Sequence, residues 1–151
     1  MKRLFTVFLV VCFLGVVSCG PKETNESKFY KFSDKNWIKF KRPVFDFKIQ
    51  NLESLYDIDM ICELEKDSKV KGFPFDIILQ FPDGTQSVRT YKIDFFEDFS
   101  TNSEGYKVYR KKLRANMQIT KPGNLKVEIL NRSSKYDNPG IVRCGIQLRS
   151  H

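Results

Sequence analysis

From residue 44 onward, apolar and polar side chains alternate. In VFDFKIQ, Phe45, Phe47 and Ile49 fall on one face. In LYDIDMICEL, Tyr56, Ile58, Met60, Cys62 and Leu64 share a face, and Asp57, Asp59 and Glu63 take the other. The same period places Phe75, Ile77, Leu79 and Phe81 together, then Tyr91, Ile93 and Phe95, then Leu113, Ala115, Met117 and Ile119. Leu125, Val127 and Ile129 follow, and Val142, Cys144, Ile146 and Leu148 complete the series. Turn chemistry separates the runs, as at Pro82-Asp83-Gly84 and Lys121-Pro122-Gly123-Asn124. No apolar stripe of helical period exceeds two turns. Strands with one polar and one apolar face build antiparallel sheets that pack on one side. Two such sheets face to face make a β-sandwich of about seven or eight strands, with jelly-roll and immunoglobulin-like orders both open.

The start of the chain breaks this pattern. Lys2 and Arg3 precede an apolar run, Leu4 to Leu14, which ends in Gly15-Val16-Val17-Ser18-Cys19. A short apolar segment with basic flank and small residues at its end is a signal peptide. Val17-Ser18-Cys19 resembles the bacterial lipobox, in which the cysteine becomes the first mature residue and is acylated, commonly with palmitate. A plain signal peptide or an uncleaved anchor, with Cys19 incidental, is the alternative. The acyl chains would anchor firmly, since each buried methylene is worth about 0.8 kcal/mol. Residues 20–28, GPKETNESK, are polar and aperiodic, which predicts a flexible tether. The expected organisation is therefore a signal peptide at 1–18, a lipidated cysteine and tether at 19–28, and one sandwich domain at 29–151. Gly20 is not the Asp that often retains lipoproteins in the inner membrane. The expected place is the outer membrane, facing the periplasm rather than the cell surface.

Export changes the meaning of the other residues. The chain has a net charge of +8, and removing Lys2 and Arg3 leaves 24 basic against 18 acidic side chains, a net of +6. In the cytoplasm such a balance suggests nucleic acid. In an envelope it suggests anionic glycans, lipopolysaccharide phosphates or acidic proteins, and nucleic acid is not expected. Two basic clusters, Lys39-Phe40-Lys41-Arg42 and Arg110-Lys111-Lys112-Leu113-Arg114, are candidate docking surfaces. The competing reading is a solvated strand face that lysine and arginine protect from aggregation. Trp37, Tyr106 and Tyr109 are candidate sugar-stacking rings, and a core role is the alternative, above all for Trp37. Cys62 and Cys144 form either a disulfide or two buried thiols.

Catalytic chemistry finds little support. The one histidine is the terminal His151, so no placed imidazole serves a nucleophile. Two thiols without further ligands do not make a zinc site, and no metal or cofactor is expected. Asp57 and Asp59 read as a solvated pair, and Glu97-Asp98 lacks the ligand spacing of a calcium loop. A carboxylate-only glycosidase is the residual enzymatic alternative.

The order of these marks resembles a family. A lipobox and Trp37 precede Phe45-x-Phe47-x-Ile49. A Tyr-led strand, 56–64, leads to Phe73-Pro74-Phe75 and the Pro82-Asp83-Gly84 turn. Pro122-Gly123 opens LKVEIL, and Gly140-Ile141-Val142-Arg143-Cys144-Gly145-Ile146 closes the chain. This is similar to the gliding-motility lipoproteins of the GldH type. The chain departs from that pattern at 98–107, where DFSTNSEGYK replaces a loop rich in glycine and tryptophan. The resemblance implies a non-enzymatic envelope component, accessory to a gliding-motility apparatus and its associated secretion machinery. A glycan-binding outer-membrane lipoprotein is the alternative function.

Overall fold

The computed structural model describes residues 23–96 and 99–151. The signal peptide, Cys19 and the Glu97-Asp98 pair lie outside the described residues. Nine strands follow in chain order: β1 (Asn25–Lys31), β2 (Val44–Ile49), β3 (Leu55–Leu64), β4 (Pro74–Gln80), β5 (Gln86–Lys92), β6 (Phe99–Thr101), β7 (Lys107–Gln118), β8 (Gly123–Asn131) and β9 (Ile141–Ser150). One 3-10 turn, Ser33–Lys35, lies between β1 and β2. The strands form a five-stranded sheet, β1-β9-β3-β7-β6, and a four-stranded sheet, β2-β8-β4-β5. All pairings are antiparallel.

The pairing is nested. First strand pairs with last, β2 with β8, β3 with β7, and β4 with β5. One long antiparallel hairpin has thus been rolled over itself, with β6 added at an edge. That is the jelly-roll arrangement, and it settles the choice against an immunoglobulin-like order. Two strands were not legible as alternating runs. Strand β1 falls in the stretch expected to be a tether: residues 25–31 pair with 143–149, so ordered structure begins before Phe29. Its inward-facing residues include Glu26 and Lys28, partly covered at the sheet edge, so no apolar period marks it. Strand β6 is three exposed residues.

Alternation does what it predicts in the centre. Phe45, Phe47, Ile49, Phe75, Ile77, Leu79, Leu125, Val127 and Ile129 of one sheet meet Tyr56, Ile58, Met60, Cys62, Cys144, Ile146 and Leu148 of the other. The exception is β7. Its register against β3 shifts between Tyr56 and Asp59, where a bulge leaves Asn116 at φ 53° and turns Ala115 outward. Leu113 and Ile119 still face the core, but the expected four-residue stripe is interrupted.

The nested order also makes the sandwich polar along its axis. One end carries the long connections 32–43, 65–73 and 132–140, together with 93–96 and 102–106. The opposite end carries the short connections 50–54, 81–85 and 119–122. The chain enters at this second end: the Thr24 amide donates to Ser150 Oγ at 2.6 Å, and the Ser150 amide donates to the Thr24 carbonyl. The C-terminus is there too, where Leu55 and His151 exchange backbone hydrogen bonds.

Candidate functional site

Three loops of the long-loop end concentrate the positive charge, and its other connections add the acids Asp94 and Glu104. Connections 32–43, 65–73 and 132–140 hold nine lysines and arginines against four acids, most of the excess of the whole chain. Loops carry function when a rigid scaffold positions them, and here the positioning is dense. Asn36 Oδ1 accepts from the Asn138 amide at 2.9 Å, and Asn138 Nδ2 donates to the Trp37 carbonyl at 3.0 Å. The Lys39 amide donates to the Tyr136 carbonyl at 2.8 Å, and the Gly140 amide to the Lys35 carbonyl. Inside the 132–140 loop, Ser133 Oγ donates to Asn138 Oδ1 at 3.0 Å, and both side chains are buried. Gly140 has φ 91°, and a Cβ there would lie 2.5 Å from Ser68 Oγ, so only glycine lets loop 65–73 approach this closely.

Trp37 is the hub. Its ring is wholly buried, stacked on Phe32 at 4.8 Å and edge-on to Phe73 at 5.4 Å. Phe73 continues to Phe95, and Phe95 to Tyr109. The indole N–H donates to the Lys41 carbonyl at 3.0 Å and closes the 38–41 turn. That turn projects Phe40, which is 73% exposed and packs edge-on, at 5.9 Å, against Tyr136, itself 54% exposed. Trp37 and Tyr109 are therefore core and do not offer a stacking surface, and Tyr106 is half-buried. Phe29, Phe96 and Phe99 are exposed elsewhere among the described residues, and the exposed rings of these three loops are Phe40 and Tyr136. A lone aromatic residue in the polar run SSKYDNPG, and another flanked by cations outside any alternating run, were the signals available for them.

The two basic clusters have different fates. In the first, Lys39 and Arg42 line a notch with Phe40, Leu130 and Arg132. Arg42 lies 3.5 Å from Glu128, Arg132 lies 3.7 Å from Asp76, and Lys41 lies over the Tyr30 ring. A cleft of about 550 Å³ opens on the other side of loop 132–140, between it and loop 65–73, with Lys69, Lys71 and Lys135 in its lining. The second cluster is mostly spent within the protein. Arg110 lies 3.8 Å from Asp59 and hydrogen-bonds Gln147, Lys112 lies 3.2 Å from Asp57, and Arg114 donates to Ser87 Oγ at 2.8 Å across the sheet edge. Lys111 falls on the opposite side of β7 from Arg110 and Lys112, so the run is split between faces.

Those contacts redefine the acidic residues. Asp57 and Asp59 are on the outer face of β3, as alternation requires, but they are not solvated. Asp59 is 3% exposed and Glu63 5%. Arginines from β9 cover them: Arg149 donates to Asp59 at 2.7 Å, and Arg143 makes two 2.7 Å bonds to Glu63 while its guanidinium lies over Phe29. Gly145 admits this layer, since a Cβ there would meet the Phe29 ring at 2.5 Å. Asp57 Oδ1 accepts from the Asn116 amide at 2.9 Å; this bond, with Lys112 and His151 adding favourable charge, holds its carboxyl below the usual range. The outer sheet is thus a ladder of ion pairs.

Cys62 and Cys144 are direct partners in the β3–β9 register. Both are free thiols, fully buried, and loss of solvation pushes both well above the ordinary thiol range. Among the described residues no three His, Cys, Asp or Glu side chains are grouped as metal ligands. No described helix is long and apolar enough to cross a membrane.

No protein-family model matches the chain, and no curated protein matches it. Among solved structures it is similar to the infectious bursal disease virus VP2 subviral particle, with TM-score 0.41 and 14% identity over 87% of this chain and 34% of that one. It is also similar to dimeric latent PorU from Porphyromonas gingivalis, with TM-score 0.38 and 10% identity over 89% of this chain and 13% of that one. The chain thus spans a minor part of either. Neither likeness is strong enough to carry a functional argument.

Proposed function

We propose that this chain is a non-enzymatic envelope lipoprotein, anchored through Cys19 in the outer membrane and facing the periplasm, where it serves as an accessory component of a gliding-motility apparatus and its associated secretion machinery. The observation that supports the reading most is the polarity of the sandwich. The tether enters at the short-turn end, and the long, charged, hydrogen-bonded loops lie at the other. Cys19 to Glu23 spans at most about 15 Å of chain, and β1 adds about 24 Å along the sandwich. An anchored domain would therefore hold its loop end away from its own membrane. Anchoring also raises the local concentration of that end for a partner, so a modest contact suffices.

The test is site-specific photocrosslinking in intact cells with a C-terminal tag, which sits at the tether end and leaves the loops clear. Crosslinkers at Phe40 and Tyr136 should trap components of the motility or secretion apparatus, and one at Glu53 should not. A Cys19→Ala chain should leave the outer-membrane fraction. Retention of that variant in the membrane, or equal trapping from both ends, overturns the reading.

A further inference from the structure

The two cavities at the loop end share a wall. Loop 132–140 separates the 550 Å³ cleft from the notch, with Lys135 facing the cleft and Arg132 the notch. Tyr136, beside Lys135 in the loop, lines neither cavity and pairs with Phe40, which lines the notch. We propose that this end binds an anionic saccharide, with the charged groups of the sugar in the lysine-lined cleft and a sugar ring against the Tyr136–Phe40 pair.

Four features carry this. Charge is the first: the three loops hold nine cations against four acids, an excess that Asp94 and Glu104 in the neighbouring connections reduce but do not cancel, whereas the opposite turns, 50–54, 81–85 and 119–122, hold only Glu53, Asp83 and Lys121. Local neutralisation does not remove the excess. Glu65 is engaged by Lys35 at 2.6 Å, which leaves Lys69, Lys71 and Lys135 facing the cleft against Asp67 and Asp137. The second is the character of the lining, which includes the Ser68 and Ser134 hydroxyls beside the three ammonium groups. Hydroxyls and cations match the hydroxyls and anionic groups of a sugar, whereas a protein partner is usually held by buried aromatic or arginine anchors in well-packed pockets. The third is size, since 550 Å³ lies within the range of about 300–1,000 Å³ for small-ligand sites. The fourth is preorganisation: the bonds from Asn36, Trp37 and Lys39 fix the wall before any ligand arrives, which lowers the cost of binding.

The anionic group can be a uronic-acid carboxylate or a sugar phosphate, and the experiment separates them. The full-length chain, purified in detergent, is titrated calorimetrically with oligogalacturonate, with phosphorylated core oligosaccharide from lipopolysaccharide, with dextran and with polyglutamate. Binding of either anionic saccharide, weakened by added salt and absent for dextran, is expected. Tyr136→Ala and Phe40→Ser, both at exposed positions, should each weaken it by about two- to tenfold. The triple variant Lys69→Gln/Lys71→Gln/Lys135→Gln should abolish most of the salt dependence, and Lys121→Gln at the opposite end should change nothing. Failure of both anionic saccharides overturns the proposal. So does equal binding of polyglutamate, which would make the end a docking face for acidic protein, and so does indifference to the aromatic variants. The site is independent of the anchor: these outcomes leave the localisation of Cys19→Ala untouched, and that localisation leaves them untouched.

Discussion

The Trp37 indole does two things at once: it fills the core beneath the loops and, through its N–H, ties down the turn that presents Phe40. The two functions separate by substitution. Trp37→Phe keeps most of the apolar volume and leaves the Lys41 carbonyl without its donor, a cost of about 1–3 kcal/mol. Trp37→Ala removes the ring from between Phe32 and Phe73 and should cost about 3–5 kcal/mol. Denaturant unfolding should rank the two in that order, and equal costs would mean that the hydrogen bond to the turn, lost in both variants, and not the ring holds this end. Cys62 and Cys144 make a second residue-scale prediction. Buried thiols shifted upward react slowly, because the thiolate is the reactive form. Native protein should resist iodoacetamide at both positions, and denatured, unreduced protein should take up two labels there. Zero labels would mean that the oxidised pair forms in the envelope.

At the scale of elements, β3 shows how a neighbour changes the meaning of a sequence. Alternation placed Asp57, Asp59 and Glu63 outward correctly, and from there solvation was the natural expectation. Burial came from β9, some 80 residues away in the sequence, whose arginines fold over them. Arg143→Ala should strand Glu63 in a largely dry site and cost about 1–3 kcal/mol, since a buried acceptor loses its donor; thermal unfolding measures this. The bulge of β7 adds a pH prediction. The Asp57 carboxyl titrates below its unfolded value, so its stabilisation is complete above about pH 4 and is lost as pH falls through the depressed folded value. The stability difference between the parent chain and Asp57→Asn should therefore be largest near neutrality and shrink in acid. A difference that grows on acidification would rule out this carboxylate as the support of the Asn116 turn.

Across the whole molecule, the nested pairing decides where the domain begins. Strand β1 covers the edge of β9, which otherwise exposes a row of unpaired backbone groups. A chain begun at Phe29, the boundary that polarity alone suggests, loses four of the seven β1 residues. It should melt at a lower temperature, and aggregate more readily, than one begun at Glu23. Equal melting temperatures would show that β1 is dispensable.

The period of two along the chain determined the fold class and the core-facing residues of the central strands, because each depends only on neighbours in sequence. Strand order, the bulge at Asn116, the burial of Asp59 and Glu63, and the division of the basic clusters depended on which strands became neighbours. That choice is a property of the rolled hairpin and leaves no local trace. Strand β1 escaped notice because an edge strand needs backbone partners more than an apolar face. The candidate site was half legible: Lys39, Lys41 and Arg42 stood out as charge, but the cleft lysines and Tyr136 join them only where three loops, distant in sequence, are gathered at one end of the sandwich.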